Sequence, residues 1–321
     1  MSVTRRAIIT VPALLSVPAR AQGFPERPVT LVVPFTPGGT IDVLARAMAP
    51  ELSRELGQPV LIDTRPGAGG NLGAAYVAQQ ARPDGHTLLF TGAGLASSVS
   101  LNVLPFDPVR DLTPVAGVGA IPSLVVVSPQ SPYRDMAALI SAARARPGTV
   151  TYASAGPSTG THLAGALLGI AAGVDLVHVP YRGAGPVYPD LIARRVDMML
   201  DIMTSSIGQV QQGAVTALAT TSARRSDVLP EVPTVAESAV PGYEFATWIG
   251  LFTRAGAPEN SLRQLERAVL RAVAAPDVRH RLQLSSAEPI PASADDFARY
   301  FQQDVERWAV MVRAGRLERA Q

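Results

Sequence analysis

Between Val29 and Thr253 short apolar runs alternate with stretches of helical periodicity, and this alternation leaves few folds open to the chain. "VTLVVPF" (29–35) is β-branched, of strand length, and stopped by proline and glycine. "TIDVLARAMAPELSRELG" then places Ile41, Leu44, Ala45, Met48, Leu52 and Leu56 on one helical face, with Gly57 as its stop and Pro50 predicting a kink. "PVLIDT" (59–64) is a second strand, "GNLGAAYVAQQA" a second helix and "HTLLFTG" (86–92) a third strand. Such βαβα runs imply a parallel sheet covered by helices.

The pattern then restarts. Strands are expected at 123–128, 149–154, 176–181, 196–202, 216–222 and 246–253, with helices around 135–146, from about Ser158, and around 185–195. Three helical segments, near 258–275, 277–284 and 293–314, close the chain. Two similar blocks and a helical tail predict two α/β lobes, crossed near Ser123–Val127 and Trp248–Phe252. The cleft between them is the natural ligand site.

The first 21 residues stand apart. Arg5 and Arg6 precede an apolar stretch from Ala7 to Val17, and Ala19-Arg20-Ala21 forms a small-residue cleavage site. The stretch is far shorter than the ~20 residues that span a bilayer, and Pro12 and Pro18 interrupt it. It reads as an export signal (1–21) cleaved near Ala21, of Sec or twin-arginine type. Removing its three arginines from the 28 basic residues leaves 25 against 26 acidic ones, a net charge of −1. A nearly neutral chain offers no electrostatic footprint for nucleic acid. The chain has no Cys, so disulfides, thiolate metal sites and Cys nucleophiles are excluded. Its four histidines, at 86, 162, 178 and 280, show no metal-ligand spacing.

Four turns carry chemistry. "VVPFTPGGTIDVLAR" (32–46) places Pro37-Gly38-Gly39 between a strand and a helix, with Thr40 as the expected N-cap. N–H groups and the positive dipole end there suit an anion. A Walker-type phosphate loop needs a lysine, and this chain has none. "TRPGAGGNLG" (64–73) also joins strand to helix, but Leu72 stands where a dinucleotide fingerprint needs its third glycine. Gly156-Pro157-Ser158-Thr159-Gly160 matches the GxSxG elbow of serine hydrolases and leaves an exported hydrolase built on Ser158 as an alternative. Against it, Pro157 constrains the sharp turn and no triad histidine is indicated. "HVPYRGAGPVYPD" (178–190) ends a strand with Tyr181 and Arg182, whose guanidinium offers a two-pronged fork for carboxylates. Asp197 and Asp201 flank "MML" on a strand.

Taken together, these segments resemble a known family. "VPFTPGGTIDVLAR", "LGQPVLIDTRPGAGGNLGAAYVA", "PDGHTLLF", "PGTVTYASAGPSTGTHLAG", "HVPYRGAGPVYPDL", "VDMMLD", "LPEVPTVAES" and W-x-G-L-F are similar to the periplasmic solute-binding proteins of tripartite tricarboxylate transporters, the Bug-type receptors. His86 replaces the usual Tyr, and Ala166 a common acid. The resemblance implies a two-lobed type II periplasmic binding protein, a Venus flytrap of two mostly parallel sheets flanked by helices. Its lobes would be 22–123 plus 248–321, and 124–247. It implies a monomeric receptor, with no cofactor, that closes on a small mono-, di- or tricarboxylate and serves membrane permease subunits; a solute receptor for a sensor system is a further alternative. By position, Phe35, Thr36, Gly38, Gly39 and Asp42 would form the first jaw, with Gly67, Ala68, Gly69 and Gly70 behind it. Ser154, Gly156, Thr159, Tyr181 and Asp201 would form the second, with Asp42 and Asp201 orienting water or donors instead of touching the carboxylate.

Overall fold

The computed structural model describes residues 23–284, 286–288, 290, 293–313 and 317. The export signal therefore lies outside the described residues. The first half runs β1 (Val29–Val33), α1 (Thr40–Leu56), β2 (Val60–Thr64), a 3-10 turn (Ala68–Gly70), α2 (Asn71–Gln79), β3 (Thr87–Gly92), α3 (Gly94–Leu101) and α4 (Pro108–Asp111). It passes through β4 (Leu112–Val127) into α5 (Met136–Ala145), β5 (Val150–Ser154), α6 (Gly160–Ala172), β6 (Leu176–Pro180), α7 (Val187–Ile192) and β7 (Met198–Ile202). Then follow α8 (Met203–Gln211), β8 (Thr216–Thr220), α9 (Val235–Ser238), β9 (Ala246–Arg254), α10 (Glu259–Ala274), α11 (Pro276–Leu284) and α12 (Ala294–Arg313).

Two sheets share one long strand. In the first, β2, β1 and β3 are parallel, and β9 runs antiparallel between β3 and the N-terminal part of β4. In the second, β6, β5 and β7 are parallel, and the C-terminal part of β4 runs antiparallel between β7 and β8. Each sheet thus repeats the order second, first, third, reversed strand, fourth. β4 exchanges β9 for β7 and β8 between Pro122 and Ser123. Two irregularities, between Pro114 and Ala116 and between Gly117 and Gly119, break its ladder with β9, and such breaks let a strand carry a proline that an unbroken ladder would reject.

The parallel strands are covered on both faces, which explains their near-continuous apolar sequence. In β1, Leu31 and Val33 enter one buried core and Val32 the other. Helix α1 continues through Pro50, where a kink was expected. Pro50 lies on the exposed side of the helix and cannot donate to the carbonyl of Arg46 one turn earlier.

The C-terminal helix returns to the first sheet. Trp248 of β9 donates its indole N–H to Asp304 of α12 at 2.7 Å. Its ring meets Phe297 and Phe301 edge-on at 5.5 and 5.9 Å. Gly250 permits this docking, because a Cβ there would lie 2.2 Å from Phe297 Cζ and 3.1 Å from the Ala116 carbonyl oxygen. Gly250→Ala should therefore lower the unfolding free energy by about 1–3 kcal/mol, measured by urea denaturation.

Candidate functional site

Parallel strands bring their carboxyl ends, and the helix starts that follow, to one edge of a sheet. Here six such ends meet around a cavity of about 560 Å³. Its wall comes from the segments after β1, β2, β3, β5, β6 and β7, with Thr247 of β9 added. No side chain caps the start of α1, the 3-10 turn, α2, α3 or α8, whereas Thr159 caps α6 by accepting from the His162 N–H. The opening N–H groups of an α-helix have no partner within it. Several uncapped starts therefore present donors and positive dipole ends to a single space.

Thr40 sharpens this picture. The N-cap of α1 is Gly39, not the expected Thr40, which is already helical. Its hydroxyl is buried on the cavity wall and has no hydrogen-bond partner. The remainder of the wall is mostly apolar, with Phe35, Ile41, Tyr181 and Ile202 among its larger side chains. Arg182 and Asp201 are the two formally charged residues on it.

Of the residues singled out in the sequence, Phe35, Thr36, Gly39, Gly67, Ala68, Gly69, Gly70, Gly156, Thr159, Tyr181 and Asp201 line the cavity. Gly38, Asp42 and Ser154 do not; Gly38 is exposed on its turn, and Asp42 and Ser154 are buried. Asp42 is buried and accepts from the Gly38 N–H and from Arg46 Nε, both at 2.9 Å. Burial pushes its carboxyl up, but the Arg46 and Gly38 hydrogen bonds outweigh burial and hold it below the usual carboxylate value. These bonds tie Asp42 to the Pro37-Gly38-Gly39 turn. Ser154 Oγ lies 2.6 Å from His178 Nε2 and is fully buried.

Asp201 sits at the end of β7, where Tyr188 and Ser205 donate hydroxyls to it at 2.6 and 2.8 Å and the Ile202 N–H donates at 2.9 Å. Burial raises it to about 6 despite these three donors. Ser205 and the Gly92-Ala93-Gly94 turn also reach the wall and were not picked out in the sequence. A small-residue turn directly after a strand was the available signal for the latter.

The GxSxG serine is occupied otherwise than as a nucleophile. Ser158 is buried, donates its hydroxyl to Asn102 Oδ1 at 2.6 Å, and accepts through its carbonyl from Ser97 Oγ at 3.1 Å. His162 Nδ1 accepts from its backbone N–H at 3.1 Å instead of engaging the hydroxyl. Ser158 thus ties α6 to α3. Among the described residues no group of three His, Cys, Asp or Glu gathers to hold a metal ion.

Behind the second half of the wall the His162 and His178 rings lie 4.2 Å apart, with Tyr152 stacked 5.0 Å from His178. Burial, and the His178 charge, push His162 down to about 3; burial pushes His178 down to about 4.

Residues 44–317 match the family described as "Tripartite tricarboxylate transporter family receptor". The chain belongs to this receptor family. The receptor is 42% identical over 295 residues to the "UPF0065 protein in tcbD-tcbE intergenic region" of Pseudomonas sp. strain P51, covering 91% of this chain and 88% of the relative. It is 33% identical to "Protein BugT" of Bordetella pertussis, over 95% and 94% of the two chains. Its fold superposes with a TM-score of 0.84 on MatC from Rhodopseudomonas palustris with bound malate, at 36% identity over 90% of this chain and 100% of that one. The receptor is accordingly a two-lobed binding protein and not an enzyme, which sets aside the hydrolase alternative. Among the described residues no helix is long and apolar enough to cross a membrane.

The partly buried His162 and His178 set a pH dependence. Their depressed values add stability that is present above their unfolded value of 6.5 and is lost as pH falls toward 4. Asp201, with its raised value, works oppositely and regains stability as pH falls through 6. Between pH 7.5 and 4.5 these terms should leave a net loss on the order of 1–3 kcal/mol, the His178 share being reduced by solvent screening. Urea denaturation of the wild type at both pH values should show it, and the His162→Gln/His178→Gln variant should lose distinctly less.

Proposed function

We propose that the receptor captures a small organic carboxylate between its lobes in the periplasm and delivers it to the membrane permease subunits of a tripartite tricarboxylate-type transporter. The observation that carries this reading is the convergence of uncapped helix starts from both halves on one cavity, with the unpartnered Thr40 hydroxyl among them. A carboxylate there would accept N–H and O–H bonds and offset the dipole ends without needing a cation. The malate bound to MatC, a relative of the same architecture, supports the ligand class.

In this reading the lobes are 22–123 plus 248–321, and 124–247, joined where β4 changes partners and near the start of β9. The mature protein works as a monomer after its export signal is removed near Ala21. The turns of the two lobes meet over the cavity. Gly69 (φ +66°) lies so near the other lobe that a Cβ would come 2.4 Å from the Pro157 carbonyl oxygen. Gly183 (φ +112°) lies so near Thr36 that a Cβ would come 2.7 Å from its hydroxyl oxygen. Such contacts are those of a closed clamp around its ligand.

Two measurements test the reading. A thermal-shift panel of mono-, di-, tri- and aromatic carboxylates should contain at least one that stabilises the receptor without being consumed. At a hundredfold excess over its Kd the gain should be about 2.7 kcal/mol; a panel with no stabilising member would refute the carboxylate reading. Gly69→Ala should prevent full closure, because the clash is with backbone and the positive φ is strained. Its ligand affinity, measured by calorimetry, should fall roughly tenfold or more, a cost of about 1.4 kcal/mol.

A further inference from the structure

We propose that Arg182 is a specificity-determining contact for a second carboxylate, so that the ligand is a dicarboxylate with an apolar spacer; this rests on the carboxylate-receptor reading above. Among the residues lining the cavity Arg182 is the one with a cationic side chain, and it is exposed at the wall's edge. Its backbone is fixed on both sides, because the Tyr181 N–H donates to the Ser154 carbonyl and the Gly183 N–H to the Ala155 carbonyl, each at 3.0 Å. Gly183 then packs against Thr36 of the facing turn, so Arg182 stands where the two halves meet.

The nearby carboxylates are already committed. Asp190 accepts from Arg195 and from the Tyr181 hydroxyl, both at 2.8 Å. Asp201 is held by Tyr188, Ser205 and the Ile202 N–H, all neutral donors. No ion pair joins Arg182 to a carboxylate among the described residues, and its guanidinium keeps its fork available to an incoming one. The wall's other large side chains include Phe35, Ile41 and Ile202, which offer a hydrocarbon spacer contact and a polyol chain nothing. One carboxylate at the helix starts, a hydrocarbon body along these side chains and a second carboxylate on Arg182 would use the donors, the apolar wall and the cation together.

The test is calorimetric titration of the purified receptor at low ionic strength with succinate, glutarate and adipate, and with butyrate, pentanoate and hexanoate as matched monoacids. The best diacid should bind at least roughly tenfold more tightly than its monoacid, the size expected of one charge-assisted hydrogen-bonded contact. In Arg182→Gln the ratio should collapse to about one, and Arg182→Lys should retain part of it, as a point charge replaces a fork. Melting curves of both variants check that the fold is kept. A wild-type ratio near one, or a ratio that survives Arg182→Gln, overturns the assignment while leaving the receptor reading intact. If none of the six acids and no malate or citrate binds, the receptor reading itself fails, and the assignment with it.

Discussion

A helix that follows a strand in a parallel sheet begins with N–H groups that nothing inside the helix can bond, and it begins at the sheet's carboxyl edge. A protein can quiet such an end with a capping side chain or leave it open. Here one of the cavity's helix starts is capped by a side chain, Thr159 on α6, while those of α1, α2, α3 and α8 carry no side-chain cap. The neighbouring features follow from that choice. Glycines keep the turns thin enough for a ligand to approach backbone, Asp42 braces the first turn from behind, and Thr40 adds a hydroxyl that has no other use in the fold.

The two sheets repeat one strand order, and each takes its reversed strand from the connection between the halves: β9 in the first, the end of β4 in the second. This arrangement joins the halves through β4, and the turns of both meet at the cavity. The close approaches of Gly69 to Pro157 and of Gly183 to Thr36 show how near they come. Ser158, with a positive φ of 61°, adds buried hydrogen bonds to Ser97 and Asn102 on the facing side.

Much of this was legible in the sequence because burial on both faces writes parallel strands as apolar runs and strand–helix turns as glycine clusters. The three tail helices and most strands fall where their periodicity places them. The N-terminal part of β4 was hidden, since "LTPVAGVGAIPS" carries two prolines and two glycines and reads as loop until its bulges are seen. Helix α3 was missed for a related reason: "GLASSVSL" lacks polar punctuation or a strong apolar stripe. At the site, the direction a side chain takes is not written in the order of residues. Asp42 and Ser154 adjoin wall residues but bond to the turn and to His178 behind the wall. Ser158 matched a catalytic pattern whose meaning lies in the base beside the hydroxyl, and no string of residues reveals that partner.

In the reading proposed above, helix starts and not side-chain cations hold the ligand's first carboxylate. A crystal structure of the receptor with bound malate or another stabilising carboxylate tests it most directly. One carboxylate should lie at the start of α1, within hydrogen-bond reach of Thr40 Oγ1 and of backbone N–H groups or a water they hold. A ligand whose carboxylates all contact side chains away from the helix starts would contradict it.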